Sequence, residues 1–136
     1  MVNLWPGIPA ECLCNKHLNA VLAEHNNKLM PSMRKGHSIE GYLKHGCIDI
    51  ELITTRIADC LKEGKRRGHK WKYAFPTDPD LALHYLYTMN YLVVHGYMTR
   101  ERRDEMTEMN KRVLSFRCPE CRKRIKDYSL LQIEKG

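Results

Sequence analysis

His17 and Glu24 stand seven residues apart in a stretch that reads as the middle of a helix, Lys16-His17-Leu18-Asn19-Ala20-Val21-Leu22-Ala23-Glu24. Seven residues is close to two helical turns, so both side chains fall on one face, together with Leu13 and Ala20. A carboxylate on the inward stripe of a helix is expensive to bury unless a positive group meets it. Glu24 therefore asks for a cationic partner or a cationic reaction intermediate. A second chemical pattern lies near the end of the chain, where Cys118-Pro119-Glu120-Cys121 runs into Arg122-Lys123-Arg124. A Cys-x-x-Cys pair supplies half of a structural zinc site, which needs four ligands. Cys12 and Cys14 are the candidate second pair, with unliganded thiols or a redox pair as the other readings of Cys118 and Cys121. Structural zinc is thus the one cofactor expected, and none is required for catalysis.

A third pattern is electrostatic. The formal net charge is +7 over 136 residues, which favours an anionic partner. Lys62, Lys65, Arg66, Arg67, Lys70 and Lys72 crowd one helix end and the turn after it, with Trp71 and Tyr73 interleaved. Cations at a helix C-terminus suit the dipole, but this density also suits a nucleic-acid backbone with stacked bases. Met33-Arg34-Lys35-Gly36-His37 is a second basic stretch, and its glycine would let the backbone approach a phosphate closely.

The elements that would position these groups are helical. Residues 1–9 hold two prolines and a glycine and read as extended, with Leu4 and Trp5 pinning them to the core. The spacing predicts helix over 10–26, bent or ended by Asn26-Asn27-Lys28, with a short piece over 31–35. Residues 36–48 read as loop. Helix over 49–67 follows from Ile50, Ile53, Ile57, Cys60 and Leu61, with Gly68 as its cap. Cys47 and Cys60 read as core thiols. A helix over 80–95 is apolar on both sides and is expected to be central, with His84 and His95 as satisfied core or edge histidines. Thr99 caps a charged helix over 100–114 whose narrow stripe is Met106, Met109 and Val113. The last residues, 127–136, are expected to form a short strand or to pack loosely. The expectation is an all-α, compact single-domain bundle. Its N-terminal segment is threaded into the core, and a Cys-x-x-Cys tail occupies 116–136 after two further helices over 76–115. The N-terminus lacks a secretory pattern and no apolar run is long enough to span a bilayer, so a cytoplasmic location is expected.

Over residues 2–75 the order and spacing of several short motifs resemble the pyrimidine-dimer DNA glycosylase/AP lyases, a family of repair endonucleases best known from phage. Val2-Asn3-Leu4 is similar to the family's Val/Ile-Asn-Leu start. His17-Leu18 with Glu24 seven residues on, the basic pair Arg34-Lys35, and Arg56 ahead of Arg67-Gly68 follow in the same order. The resemblance implies a helical domain whose N-terminal α-amine attacks C1′ of a damaged pyrimidine nucleotide. An imine forms, and β-elimination then cuts the strand. It implies that Glu24 supports the sugar's developing positive charge, that His17 belongs to the catalytic set, and that the nucleophile is Val2 once Met1 is removed. The DNA contacts it implies, together with the basic clusters, are Asn3, Lys28, Arg34, Lys35, Arg56, Lys65, Arg66, Arg67 and Lys70. The partner would be damaged duplex DNA, bound by a monomer in a bacterial or phage-infected cell. The N-terminal nitrogen would lie beside Glu24 in a cleft rimmed by Arg34, Lys35 and Arg56. This chain departs from the family pattern in its shorter front and in Ala23, where the family has a basic residue, so another damaged pyrimidine is open.

An α-amine suits this task. Its pKa lies near 7.7–8.0 against about 10.4 for lysine, leaving on the order of a tenth neutral at physiological pH. Two other functions compete. One is a non-catalytic, basic DNA-binding protein with a zinc-stabilised tail. The other is a metal-dependent nuclease using His17 and Glu24 as ligands, for which the chain lacks a convincing carboxylate cluster.

Overall fold

The computed structural model describes residues 2–135, and every regular element among them is helical. The N-terminal segment is extended as expected and is part of the core, with Leu4, Trp5, Pro6 and Ile8 buried. Its backbone is fastened by Leu4 N, which donates to Cys47 O at 2.9 Å. Trp5 takes a left-handed conformation, φ 50°, costing a bulky L-residue on the order of 1–2 kcal/mol. Burial of the indole and the hydrogen bond that the Trp5 backbone N–H donates to Asn3 Oδ1 at 2.6 Å offset that cost.

The predicted first helix is divided. Ala10–Cys12 form one tight turn, Leu13 is extended, and α1 spans Asn15–Glu24 with Cys14 at its N-cap. The break falls where the Cys14 backbone N–H is drawn to Cys121 Sγ, a partner more than a hundred residues away. Past Glu24 the chain does not stop at Asn26-Asn27-Lys28. It widens into a π turn over His25–Leu29, closed by Met30 N donating to His25 O, and continues as α2, Met30–Arg34. Pro31 cannot donate to the turn before it, and a widened turn accommodates that missing bond.

Residues expected as loop contain a short helix, α3 (Glu40–Lys44). A tight turn at Ile50–Leu52 leads into α4, Ile53–Arg66, whose Ile53, Ile57 and Cys60 are buried as the spacing predicts. Trp71 folds back to lie on Gly64, where a Cβ would strike the indole ring. That packing and its edge contact with Tyr73 make both aromatics part of the core margin.

Helix α5 (Asp78–His95) opens with a capping box between Thr77 and Asp80. It is not central. It lies at the edge, with Tyr85, Leu86, Val93 and Val94 exposed, because α4 and the Ile50–Leu52 turn contact only the side bearing His84 and Thr88. His84 is a satisfied core histidine. Its Nε2 lies 2.9 Å from His25 Nε2 and its Nδ1 lies 2.9 Å from Thr54 Oγ1. Helix α6 (Arg100–Arg117) is capped by Thr99 as expected, but its buried residues are Asn110 and Leu114 rather than Met109. The tail is neither strand nor loose. Pro119 begins a long helix, α7 (Pro119–Lys135), that turns back after Cys118 to pack on α6 and against the Ala10–Cys12 turn. Proline fits the first helical position because its missing N–H would have had no partner there. No helix among the described residues is long and apolar enough to cross a membrane.

Burial, then the neighbouring His84, push His25 down to about 4. An unfolded histidine takes up its proton near 6.5. The unfolded chain therefore binds the proton first, and stability is full above pH 6.5 and drains as pH falls toward 4. The urea midpoint should drop over that interval by the equivalent of roughly 1–3 kcal/mol; a flat midpoint between pH 6.5 and 4.5 would contradict a neutral buried pair.

Candidate functional site: the Glu24 pocket and the thiol cluster

Two groups of side chains stand out, one at each end of α1. At its C-terminal end Glu24 is 7% exposed, and its Oε2 accepts two hydrogen bonds. One comes from Val2 N at 3.1 Å and the other from the Tyr42 hydroxyl at 2.6 Å. The spacing argument is thus right that the inward carboxylate needs a partner, but the partners are a backbone nitrogen and a phenol rather than a side-chain cation. Burial, and then the bond to Glu24, push the Tyr42 hydroxyl well above its ordinary range. Tyr42 therefore remains a donor throughout the physiological range. Tyr42 comes from α3, in the segment expected to be loop. Val2 is 38% exposed, so the nitrogen that meets the buried acid sits at the surface. Met1 lies outside the described residues.

The segment carrying Val2 is held from two sides. From α4, Arg56 Nε donates to Leu4 O at 2.9 Å and Nη1 donates to Ile8 O, while Nη2 is buried without a protein partner. From α6, the buried Asn110 accepts from Asn3 Nδ2 at 3.1 Å through Oδ1. Its Nδ2 donates to Gly46 O at 3.2 Å and to Pro6 O at 3.5 Å. Asn110 joins the N-terminal segment, the loop after α3 and α6, and nothing in its sequence neighbourhood marks it.

At the N-terminal end of α1, Cys14, His17, Cys118 and Cys121 bring their ligand atoms within 4.8 Å of one another. His17 Nδ1 lies 3.1 Å from Cys14 Sγ and 3.5 Å from Cys121 Sγ, and the Cys14 and Cys118 sulfurs are 3.9 Å apart. This group could hold a metal ion. Two of its members are as expected, Cys118 and Cys121, and Cys14 is the expected partner. Cys12 is not in the group. It is a buried thiol whose pKa burial, and then Glu11, raise to about 11. His17 takes the fourth place. This placement sets His17 among the thiols rather than beside Glu24, the two residues standing about 10 Å apart along the helix axis. The sequence does hold a signal for it: Cys14-x-x-His17 repeats the spacing of Cys118-x-x-Cys121.

The expected DNA contacts divide into two sets. Lys28, Lys35, Lys65 and Lys70 are exposed and form no ion pair among the described residues. Arg34 is half-exposed and bonded to Asp80 at 2.9 Å, and Arg66 is exposed but paired with Glu63 at 2.6 Å. Three further side chains are engaged by the fold itself. Asn3 is occupied by Asn110 and Trp5. Arg56 is committed to the carbonyls of Leu4 and Ile8, and so does not rim a cleft at Glu24. The Arg67 side chain is 9% exposed, bound to Glu63 and donating to Asn15 Oδ1 and the carbonyls of Ala10 and Glu11. Each of these satisfies backbone or carboxylate groups that burial would otherwise leave unpaired. A cavity of ≈ 700 Å³ lies between the N-terminal segment and α4, lined by residues including Ile8, Ile53, Arg56 and Lys62, and Glu24 is not among its lining residues.

No family model, curated protein or solved structure matches this chain, so its function is argued from these residues and their geometry.

Replacing Arg56 with Met strands two buried carbonyls and should lower the stability by about 2–4 kcal/mol, at roughly 1–2 kcal/mol each. Lys35→Ala should change it by less than about 0.5 kcal/mol. Urea unfolding of the two variants separates structural from surface cations; equal effects would contradict the division above.

Proposed function

We propose that the protein is a DNA glycosylase with AP lyase activity whose nucleophile is the α-amine of Val2 after removal of Met1. The carrying observation is the 3.1 Å contact between Val2 N and Glu24 Oε2. Valine at the second position permits removal of the initiator methionine, and the resemblance over residues 2–75 favours the same pairing of amine and acid.

The neutral amine adds to C1′ of the damaged nucleotide as the glycosidic bond breaks, and the base leaves with the amine's proton; the C1′–O4′ bond then opens, O4′ taking up a proton. At an abasic site the amine adds instead to the open aldehyde, and water leaves. Both routes give a protonated imine. Loss of a C2′ proton then expels the 3′ phosphate with the electrons of its C3′–O bond, and water releases the sugar remnant from the amine. Glu24 is suited to accept the amine's proton and to stabilise the cationic imine. A carboxylate so close also favours the protonated amine, which works against nucleophilicity. The Tyr42 phenol opposes that effect by hydrogen-bonding the same oxygen and drawing off part of its charge. Lys28, Lys35, Lys65 and Lys70, together with the net charge, supply the phosphate contacts of a duplex-binding face.

A structural zinc at the thiol cluster is the cofactor of this reading. It is shared with the second reading, a non-catalytic DNA-binding protein, for which the same cluster is the favouring observation.

Borohydride trapping on a duplex with one abasic site decides between them. Wild-type protein should give a covalent adduct mapped to Val2. Glu24→Gln should keep duplex affinity and lose at least about 100-fold in trapping and strand cutting. A full-strength adduct after selective blocking of the N-terminal amine would remove Val2 from the mechanism, and wild-type binding without adduct would leave the non-catalytic reading.

A further inference from the structure

The four ligands at the head of α1 belong to two matching units. Cys14-x-x-His17 opens α1 and Cys118-x-x-Cys121 opens α7, so two helix N-termini converge on one point. Helix N-termini favour negative charge, and thiolates placed there are easier to form. Each unit also supplies a backbone donor to a sulfur. Cys14 N donates to Cys121 Sγ at 3.3 Å, and Cys121 N donates to Cys118 Sγ at 3.4 Å. Such bonds neutralise and orient metal-bound thiolates. The Trp5 ring meets the His17 imidazole edge-on, with centroids 6.2 Å apart, and limits its rotation.

The geometry can be tested against an ion. Zinc bonds of about 2.3 Å to sulfur and 2.0–2.1 Å to nitrogen in a tetrahedron put two sulfurs roughly 3.8 Å apart and a sulfur and a nitrogen roughly 3.6 Å apart. The structure has 3.9 Å between the Cys14 and Cys118 sulfurs, and 3.1 and 3.5 Å from His17 Nδ1 to the Cys14 and Cys121 sulfurs. Three thiolates and one imidazole form a closed, soft, tetrahedral set, which selects zinc over hard cations and leaves no position open for a substrate.

We propose that Cys14, His17, Cys118 and Cys121 are the complete ligand set of a structural zinc ion that clamps the α6–α7 hairpin, and with it Asn110, against the N-terminal segment carrying Val2. Two of the ligands flank or open α7 directly after α6, and Asn110 stands on α6 two turns before Cys118. Cross-linking α7 to α1 therefore holds Asn110 in register with Asn3 and Pro6. The ion is structural, and Asn110 is a positioning residue. The ligand assignment stands on its own geometry, whereas its consequence for the reactivity of Val2 rests on the amine mechanism proposed above.

The 136-residue chain, purified without added chelator, should contain one zinc per chain by elemental analysis. Exchange for Co²⁺ should give the intense thiolate charge-transfer and tetrahedral d–d bands. Cys118→Ser should lose the metal, His17→Cys should retain it as a four-thiolate site, and Cys60→Ser, a buried thiol outside the cluster, should leave it unchanged. Removing zinc should lower amide-exchange protection at least 10-fold across α6–α7 and residues 2–8, with α4 changed far less. Substoichiometric metal in wild type, or unchanged metal in Cys118→Ser, overturns the ligand assignment; unchanged protection over residues 2–8 in the zinc-free protein overturns the clamp. Glu24→Gln should keep its zinc while losing borohydride trapping, so a failure of the lyase reading and a failure of the metal site produce different results.

Discussion

The structure depends on holding an irregular strip of eight residues, 2–9, inside a bundle of helices. Such a strip satisfies few of its own backbone groups, here Trp5 N at Asn3 Oδ1 and Ile8 N at Trp5 O, and burial puts a desolvation cost on the rest. Arg56 and Asn110 answer that problem from opposite sides: the guanidinium takes the carbonyls of Leu4 and Ile8, and the amide takes Asn3 and Pro6. Cys47 O completes the set by receiving Leu4 N. With the strip fixed in this way, Val2 N has one place to be, and that place is beside Glu24.

The same economy governs the charges. A net charge of +7 suggests a surface free to bind an anion, yet the arginines nearest the N-terminal strip are largely consumed by the fold. Arg67 and Arg66 converge on the buried Glu63, whose pKa is held down chiefly by the bond from Arg66. Arg103 ties α6 to Asp49 and Glu51. Arginine suits these places because its planar fork satisfies several acceptors at once and stays charged when partly buried. The cations left for a partner are mostly lysines, which keep their ammonium groups hydrated and pay least for remaining exposed.

Helix α1 separates the two sites. Its head carries Cys14 and His17, its foot carries Glu24, and a π turn follows at once. Wide turns of this kind often accompany functional positions. Here the turn also brings His25 under α5, where it meets His84, so the acid's own helix is locked to the far edge of the bundle by a neutral imidazole pair. Exposed apolar side chains on α5, among them Val93 and Val94, show how little of that helix the core needs.

Local patterns by themselves determined much of this protein. The period of Ile53, Ile57 and Cys60 specified α4 because one face had to be apolar. Thr99 specified a helix start because its hydroxyl satisfies a free N–H group, and two prolines kept residues 2–9 out of a helix. The need of Glu24 for a partner followed from its position on an inward stripe. The resemblance pointed to the N-terminal nitrogen as that partner, whereas Tyr42 could not be read, because it reaches Glu24 only through tertiary packing. Nor could the break at Leu13–Cys14, since it answers to Cys121 far along the chain, or the burial of Arg56 and Arg67, since a guanidinium facing solvent and one facing buried carbonyls have the same sequence. His17 shows the division most directly: its spacing from Glu24 and its spacing from Cys14 were both legible, and only the approach of α7 decided between them.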